Sequence, residues 1–484
     1  MSTQKITIEP VTRIEGHAKV TIHLNDGGTV DHAYLHINEF RGFEKFCEGR
    51  PYFEMPAITP RICGICPVSH HLAAAKAADD LANCPPPRPA ALLRELMDMG
   101  QIIQSHGMHF FELAGPDLLL GFDADPATRN VLGVLAADPA LALQAINLRK
   151  FGQHIIELLG GRRIHPTFAV TGGVNKALQP AERDQILAAA PAAIAALQAG
   201  LSIMRGWAER NKWDIDNFGV FSTGYMGMVT PDTGLDLYDG DLRLIDSTGQ
   251  ELERFDGHNY LDYISEHVEN WSYLKFPFYK GLGWPAGVYR VGPLGRLNVV
   301  THLDTPLAQT ELEAFKALAP GRPVENTLYY HYARLIEALF AAERVQVLLD
   351  DPDILSTDLL NTRQAPTLNA DGLAEGIGVL EAPRGTLFHH YWADENGQLK
   401  RVNLIVATGH NNWAMSKAVD AVAKTYITGP EIREGLLNRV EAAVRAYDPC
   451  LSCSTHAVGQ MPMVVELFDA AGALVQTVRR DSQD

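Results

Sequence analysis

The sequence predicts an α+β fold that is mainly helical, with a bundle of long helices as its core and small antiparallel β-sheets. Three observations predict this class. Several long stretches carry apolar residues at three- and four-residue steps, the period of an amphipathic helix. The first forty residues instead alternate apolar with polar positions and are rich in β-branched residues, as strands are. A second strand-like region, residues 376–408, contains a turn signal near its middle.

The helical stretches begin at "VSHHLAAAKAADDLA", an alanine-rich segment that stops at "CPPPRP", because consecutive prolines cannot continue a helix. The next segment, "PAALLRELMDMGQIIQSHGMHFFELAG", predicts one long helix that ends at Gly115-Pro116. The same periodicity predicts further helices near residues 139–160, 180–212, 308–318, 323–349 and 430–446.

The predicted strands lie in three groups. "KITIEP", "AKVTIHL" and "VDHAYLHI" open the chain, with a "NDGG" turn between the second and the third. "LRLIDSTGQELERF" is strand-like, and the 376–408 region reads as a hairpin that turns at "DENGQ". We find no internal repeat and no low-complexity linker.

Composition narrows the function classes. The chain has 484 residues and a formal net charge of −17, with 41 Lys and Arg against 58 Asp and Glu. Nucleic-acid binding needs clustered basic residues to neutralise phosphates, and no basic run is present, so we expect no nucleic-acid partner. The N-terminus lacks the pattern of a signal peptide, and no unbroken run of eighteen apolar residues occurs, so we expect no membrane span. We therefore expect a cytoplasmic protein.

Four of the six cysteines form two CxxC pairs at opposite ends of the chain. Cys63 and Cys66 lie in "RICGIC", and Cys450 and Cys453 lie in "DPCLSCSTH". In a reducing compartment such pairs more often hold metal or perform redox chemistry than form disulfides. Length alone predicts about three domains. If the pairs meet, the chain closes on itself, and a single domain spanning 1–484 is expected instead.

Four thiolates are compatible with zinc, an iron–sulfur cluster or a thiophilic metal such as nickel. Either pair alone would more often be a structural zinc site or a redox dithiol. The separation argues against zinc, since zinc ribbons join pairs about 15–20 residues apart.

Motifs around the cysteines narrow the choice further. In chain order they are "VTRIEGH" (11–17), "RGFEKF" (41–46), "RICGICPVSHH" (61–71), "HFFELAGPD" (109–117), "EAPRG" (381–385) and "DPCLSCSTHAVGQMP" (448–462). Together they resemble the large, catalytic subunit of [NiFe]-hydrogenases, and most closely the cytoplasmic, bidirectional NAD-reducing type. The resemblance implies the [NiFe]-hydrogenase large-subunit fold and reversible heterolytic cleavage of H2 at a Ni-Fe(CN)2CO centre.

The resemblance also assigns roles to residues of the metal centre. It implies that Cys63 and Cys450 are terminal nickel ligands and that Cys66 and Cys453 bridge nickel to iron. Glu15 would pass on the proton first taken by Cys450; read from the residues alone, it could equally cap a helix or pair with Arg13. The resemblance also implies which residues surround the centre. Above the vacant metal position would lie Arg384, Asp117 and Asp448. The cofactor itself would be contacted by Thr408, His70 and Pro383. Asp117 and Asp448 would otherwise be ordinary helix-end and turn residues.

A second cation site and a processing step are implied in the same way. Glu44, His456 and a backbone carbonyl near Leu404 would hold magnesium or a similar cation, which prefers oxygen ligands and retained water. A maturation protease would cut between His456 and Ala457 and remove residues 457–484. At Ala407–His410 the chain has "ATGH" where the family usually has "PSTW". We assign no role to His71, His106, His109, His389, His390, Cys47 or Cys84.

The implied partners are an iron–sulfur small subunit, diaphorase subunits that hold FMN, further Fe-S clusters and NAD, and the metallochaperones that build the centre. The chain itself has no GxGxxG motif between strand and helix and no P-loop, so NAD would bind in a partner. Alternatives are a deazaflavin-reducing or H2-sensing large subunit, the quinone-site subunit of respiratory complex I, which lacks the metal cysteines, and a structural zinc or iron–sulfur protein.

Overall fold

The structure is a computed structural model, and it describes residues 5–37, 42–362, 367–429, 431–454, 463–468 and 474–480. Long helices dominate these residues, and six small sheets accompany them. The α+β class predicted from the sequence is therefore confirmed.

The helices vary from single turns to more than eight turns. They are α1 Phe43–Cys47, α2 Met55–Ile58, α3 Pro67–Leu81, α4 Arg88–Met108, α5 Gly115–Leu120, α6 Val131–Ala137, α7 Pro139–Gly160, α8 Pro180–Arg210, α9 Lys212–Asn217, α10 Tyr260–Tyr263, α11 Gly292–Val299, α12 Pro306–Lys316, α13 Tyr329–Asp350, α14 Asn412–Tyr426, α15 Glu434–Ala446 and α16 Leu451–Ser454.

Apart from one parallel pairing, β6 with β11, the strand pairs are antiparallel. The strands are β1 Lys5–Ile8, β2 Lys19–Leu24, β3 Val30–His36, β4 Ala169–Val170, β5 Gly173–Val174, β6 Gly224–Val229, β7 Asp241–Ile245, β8 Glu251–Phe255, β9 Ile264–Val268, β10 Lys275–Tyr279, β11 Tyr289–Arg290, β12 Ala374–Ala382, β13 Gly385–Ala393, β14 Leu399–Ile405, β15 Met463–Phe468 and β16 Leu474–Arg480. Their orders are β1-β2-β3, β4-β5, β11-β6-β7-β8, β9-β10, β12-β13-β14 and β15-β16.

The core of the fold is a bundle of four long helices. α4 packs against α7 and α13, and α8 packs against α7 and α13. α4 is buried along nearly its whole length, so it occupies the centre of the bundle. Gly100 on α4 lies against α7, where an added Cβ would be 3.1 Å from the backbone oxygen of Gly152. The close approach of the two helices therefore depends on glycine.

The helices differ from the sequence predictions in several places, of which two concern long helical segments. The helix predicted to end at Gly115-Pro116 is α-helical over Arg88–Met108, turns π-helical over His109–Ala114 and continues as α5 to Leu120. Pro116 does not terminate the helical segment, because it lies in the first turn of α5, where a backbone N–H has no partner within the helix. Helix α14 is an element that the sequence prediction does not include.

One layer of the fold positions the N-terminal cysteine pair. Helix α3 lies on the β12-β13-β14 sheet and contacts β12 most extensively. Gly376 and Gly378 of β12 allow this, since a Cβ on either would meet the α3 backbone at 2.3 Å or less. The β12–β13 hairpin turns at Pro383-Arg384, and the β13–β14 hairpin turns at the predicted "DENGQ".

The N-terminal strands and the segment that carries the C-terminal cysteines enter one hydrophobic core. The largest cluster of buried apolar residues runs from Ile8 in β1 to Cys453 in α16. Strand β3 packs against α14, and α14 packs against α15, which leads to the C-terminal cysteines. We propose on this basis that the chain forms a single domain.

One described helix, α8, is long and apolar enough to cross a membrane by length and composition. In the structure it packs against α7 and α13 of the bundle, with 39% of its most apolar window buried. A single helix of this kind is weak evidence for a membrane span, because the core helices of soluble proteins meet the same criteria.

Candidate metal centre

The two cysteine pairs meet in the interior of the molecule. Cys63 Sγ lies 2.9 Å from Cys450 Sγ, and Cys66 Sγ lies 3.5 Å from Cys453 Sγ. All four sulfur atoms lie within 4.8 Å of one another, and all four residues are buried. Thiolates about 2.3 Å from one metal ion in tetrahedral geometry are separated by about 3.8 Å. The sulfur atoms can therefore share a metal with little rearrangement.

Local structure explains how each cysteine reaches the site. Cys63 ends the 3₁₀ helix Thr59–Ile62, and Cys66 immediately precedes the proline that starts α3. Cys450 forms a parallel bridge with Glu15, and Cys453 lies one turn further on in α16. Gly16 permits this contact, because its φ of +87° is favourable for glycine and an added Cβ would lie 2.7 Å from Leu451 Cβ.

Protonation of the four sulfur atoms is shared. Hydrogen bonds from the other three cysteines lower the pKa of Cys66 well below its usual value. Burial raises the pKa of Cys450 and Cys453. Cys66 is therefore deprotonated more readily than Cys450 and Cys453. Binding a metal must release the remaining protons, because only the deprotonated thiolate is a ligand.

A small cavity adjoins the sulfur atoms. Its wall is apolar on one side, and a guanidinium and a hydroxyl face it on the other. The lining residues are Cys66, His70, Ala382, Arg384, Leu387, Val406, Ala407, Thr408, Cys450 and Cys453. This donor set fits a thiolate-bound metal whose further ligands are small and accept hydrogen bonds.

Arg384 occupies the turn between β12 and β13 and is buried beside the cysteines. Its Nε donates to the backbone oxygen of Asp448 at 2.6 Å, and Nη2 donates to Asp448 Oδ1 at 2.9 Å. Nη1 lies 3.4 Å from Ser105 Oγ on α4, a contact that the sequence does not reveal. Burial opposes the charge of Arg384, but Asp448 and the cysteine sulfurs raise its pKa. The guanidinium is thus a fixed positive charge.

A buried ion network supports this turn. Arg296 on α11 donates to both carboxylate oxygens of Glu337 at 2.6 and 2.7 Å and to Glu381 Oε2 at 2.6 Å. It also donates to the backbone oxygens of Ala382 and Pro383. Because paired and fully hydrogen-bonded charges tolerate burial, this network fixes the backbone that carries Arg384. Pro383 contributes through its backbone oxygen.

Asp117 does not share the position of Asp448. Its carboxylate accepts hydrogen bonds from Arg13, Asn438 and Arg445, and the described part of the chain shows no ion pair between it and Arg384. The expectation that both aspartates lie around the metal position with Arg384 stays a prediction for Asp117, whose ion pairs are with other arginines. The physical reason is that α5 continues beyond Pro116, which places Asp117 opposite the arginines of the N-terminal segment and α15. Asp448 and Arg13 both have positive φ, 55° and 56°.

Glu15 lies beside the C-terminal cysteine pair. Its backbone oxygen accepts from Leu451 N at 3.1 Å, and its Oε2 accepts from Ser452 N at 3.0 Å. The side chain is half-buried. Arg13 pairs with Asp117, so the alternative of an ion pair between Arg13 and Glu15 is not observed among the described contacts. The backbone of Glu15 is thus paired with Cys450, and its partly exposed carboxylate contacts Ser452.

The remaining predicted residues lie as follows. Thr408 Oγ1 accepts from the backbone N–H of Cys450 at 2.9 Å, which leaves the hydroxyl proton free to point elsewhere. His70 Nε2 lies 3.4 Å from Cys453 Sγ. Glu44 Oε1 accepts from Leu404 N at 2.8 Å, so these two predicted cation ligands are neighbours. His456, the third, lies outside the described residues, as does the predicted cleavage position.

Two residues to which the sequence assigns no role extend the site. His389 contacts His70, and Tyr391 contacts His389. The sequence carried one signal for this pair. His389 and Tyr391 are two residues apart in a predicted strand, and such residues face the same side of a sheet.

The geometry defines a buried thiolate metal centre formed by the two ends of a mainly helical chain. Comparison with known proteins agrees with this class. The family described as nickel-dependent hydrogenase matches residues 41–142 and 237–456, and a family described as HoxL-like matches residues 5–40. The chain belongs to the nickel-dependent hydrogenase family, as a large, catalytic subunit with a nickel–iron centre.

Individual relatives cover nearly the whole chain. The NAD-reducing hydrogenase HoxS subunit beta of Cupriavidus necator is 47% identical over 98% of this chain and 99% of its own length. A subunit of the F420-non-reducing hydrogenase of Methanothermobacter thermautotrophicus is 44% identical over 98% of this chain and 100% of its own length.

Solved structures are similar too. A crystal structure of an NAD⁺-reducing [NiFe]-hydrogenase in the H2-reduced state has a TM-score of 0.90 and 46% identity, and the match covers 94% of this chain and 100% of that one. A Ni-Fe-Se hydrogenase from D. vulgaris Hildenborough has a TM-score of 0.77 at 23% identity over the same shares. The latter shows the fold alone.

Proposed function

We propose that this chain is the H2-activating subunit of a cytoplasmic, NAD-reducing hydrogenase. The single observation that carries the H2 chemistry is the buried group of four sulfur atoms beneath Arg384. The choice of NAD as final acceptor is supported by the 47% identity to the NAD-reducing relative over nearly the full chain.

The residues of this chain have separable tasks at the centre. Cys63, Cys66, Cys450 and Cys453 hold the nickel–iron group, which supplies the redox chemistry that separates H2 into protons and electrons when bound. Arg384 places a permanent positive charge and N–H donors at the cavity, where small anionic ligands of the iron would be stabilised.

Glu15 carries a proton away from Cys450. A relay needs an acceptor within reach of the sulfur and an exit to solvent. Two observations support Glu15 in this role: its backbone pairs with Cys450, and its side chain is only half-buried. The hydrogen bond from Ser452 N orients the carboxylate against the first turn of α16, the helix that carries Cys453.

Electrons leave through partner subunits. The sequence contains no nucleotide-binding glycine motif, so this chain transfers electrons to an iron–sulfur small subunit, and diaphorase subunits with FMN reduce NAD⁺. Nickel and iron with its ligands are inserted by metallochaperones. The exposed apolar side chains of the described residues include candidates for the subunit interface, such as Phe46, Phe53 and Trp213.

A magnesium ion or similar cation near the metal centre is the second ligand we propose. Glu44 and Leu404 are adjacent, and His456 follows Cys453 by three residues in the sequence. Carboxylate and backbone oxygens suit a hard cation. Its role would be to tie the end of the mature chain to β14.

We propose that maturation removes residues 457–484. Strands β15 and β16 form a two-stranded sheet in this segment, so an ordinary C-terminal hairpin describes its local structure equally well. Intact-mass measurement separates the two, because a processed chain ends at His456 after metal insertion. A purified, active complex that retains Asp484 would contradict the processing.

The experiment that tests the proposed function is H2-dependent reduction of NAD⁺ by the complex purified with its partner subunits. The wild type is expected to contain nickel and iron and to reduce NAD⁺. Cys450→Ala is expected to lose nickel and all turnover, because three thiolates cannot complete the site. Cys84→Ala, a buried cysteine outside the sulfur group, is the matched control and is expected to retain nickel.

The outcomes separate the two parts of the proposal. Turnover by Cys450→Ala would contradict the ligand set. If the complex oxidises H2 with an artificial dye as acceptor but does not reduce NAD⁺, the hydrogenase assignment stands and NAD⁺ is not the acceptor. The 44% identity to an F420-non-reducing hydrogenase makes a different acceptor the second candidate in that case.

A further inference from the structure

A line of buried hydrogen bonds leads away from Cys453. His70 Nε2 lies 3.4 Å from Cys453 Sγ, and His70 Nδ1 lies 3.0 Å from His389 Nε2. His389 Nδ1 in turn lies 2.6 Å from the hydroxyl of Tyr391. All four side chains are buried, so no solvent competes for these contacts. Cys453, His70, His389 and Tyr391 therefore form one continuous chain of buried hydrogen bonds, which we call the line.

The fold supplies this line from two elements. His70 is one helical turn after Cys66 on α3, which lies on the sheet that contains β13. His389 and Tyr391 are two apart on β13 and so face the same side, while His390 between them contacts Tyr260 and Glu375. Because β13 is hydrogen-bonded to strands on both sides, the two side chains are held on a rigid support.

The direction of the protons follows from the two ends. A metal-bound thiolate has no proton to donate, so His70 must donate from Nε2 to Cys453 and accept at Nδ1. His389 must then donate from Nε2 and accept at Nδ1 from the Tyr391 hydroxyl. Burial lowers the pKa of His389 and raises the pKa of Tyr391, so a neutral imidazole and a protonated phenol agree with this arrangement.

We propose that His389 and Tyr391 are positioning residues for the H2 reaction, which fix His70 in the tautomer that donates to the Cys453 sulfur. With the nickel–iron group bound, a hydrogen bond to the Cys453 sulfur would withdraw electron density from that sulfur and hence from the metals that it would hold. Through this line, His389 and Tyr391 would change the electron density at the metal centre, although neither residue contacts it. This inference rests on the nickel–iron centre of the proposed function.

The test uses infrared spectra of the matured complex, in which carbonyl and cyanide stretches report the electron density on iron. Tyr391→Phe removes one hydroxyl and keeps the ring, and His389→Leu breaks the line at its centre. Both are expected to shift the carbonyl band to lower wavenumber, with the larger shift in His389→Leu, because a more electron-rich iron donates more to carbon monoxide. For His389→Leu we also expect H2 oxidation to fall about tenfold.

Two further variants distinguish positioning from packing. Tyr260→Phe removes a buried hydroxyl that contacts His390 Nδ1 at 3.0 Å on the opposite face of β13, and it is expected to leave the bands unchanged. His389→Gln can accept from Tyr391 through its amide oxygen and donate to His70 through its amide nitrogen. It is expected to restore the bands towards their wild-type positions.

The outcomes are decisive in either direction. Unshifted bands in Tyr391→Phe and His389→Leu at full nickel content would overturn the inference, as would equal shifts in Tyr260→Phe. If His389→Leu fails to mature, Tyr391→Phe and His389→Gln still give the comparison. Absence of carbonyl and cyanide bands from the matured wild type would instead reject the proposed centre itself.

Discussion

At the scale of single residues, the centre depends on side chains that are buried with their partners. Arg384 illustrates this, since its guanidinium has three different hydrogen bonds, two to Asp448 and one to Ser105. A planar fork with fixed charge can make these contacts together, whereas an ammonium group cannot. The role of Arg384 is thus geometric as well as electrostatic.

Arg384→Lys is therefore expected to reduce H2 oxidation on the order of 100-fold while leaving nickel and iron content unchanged. The reason is that lysine keeps the charge and loses the oriented donors. Metal analysis and dye-coupled H2 oxidation measure the two quantities separately. Arg401→Lys, on the rim of the same sheet over Trp392, is the control and is expected to retain full activity. Wild-type turnover in Arg384→Lys would contradict the assignment.

At the scale of elements, the site exists because loops and helix ends approach more closely than ordinary side chains permit. The N-terminal segment reaches α16 at Gly16, and α3 reaches β12 at Gly376 and Gly378. These glycines do not touch the metal. Their function is to bring the elements that carry ligands within reach of one another.

Gly16→Ala is expected to destabilise the folded chain by about 1–3 kcal/mol and to lower nickel occupancy. The new Cβ would lie 2.7 Å from Leu451 Cβ, at a φ of +87° that alanine rarely adopts. Thermal unfolding and nickel content of the same preparations measure both effects. Gly429→Ala, where no atom lies within 4 Å of the added Cβ, is the matched control and should behave like the wild type.

At the scale of the whole molecule, the two chain ends are joined by charge as well as by the sulfur atoms. Asp117 on α5 accepts from Arg13 near the N-terminus and from Arg445 near the C-terminus. Burial opposes ionisation of Asp117, but Arg445 and Arg13 outweigh it and lower its pKa. Its contribution to stability is therefore present above the ordinary aspartate pKa and is lost as the pH falls through the lower folded value.

Asp117→Asn is accordingly expected to lower the free energy of unfolding by about 3–5 kcal/mol at neutral pH, because the buried Arg129 and Arg445 and the partly buried Arg13 lose a shared counter-charge. The difference from the wild type should begin to shrink as the pH falls below about 4, where the aspartate of the unfolded chain becomes protonated, and should be lost below the lower pKa of the folded chain. Denaturant unfolding at several pH values measures this. A difference that does not change with pH would contradict the ionic role.

How far the sequence predicts this molecule differs between its parts. The metal cysteines are predictable from their CxxC spacing, and Arg384 from the resemblance of "EAPRG" to the family motif. Helix α14 carries a signal that periodicity could have found, since its buried residues Ala414, Met415, Ala418, Val419, Val422 and Ala423 follow the helical period. The partners of Asp117 and the His389–Tyr391 line were not predictable, because they depend on which elements face each other across the fold.

The central claim is that sulfur atoms from both ends of one chain surround a single nickel ion. Nickel X-ray absorption of the matured complex tests it most directly. We predict a nickel environment of four sulfur neighbours at about 2.3 Å with iron beyond them, and loss of the nickel signal in Cys450→Ala. A matured, active complex whose nickel is absent, or is bound by nitrogen and oxygen alone, would contradict the account.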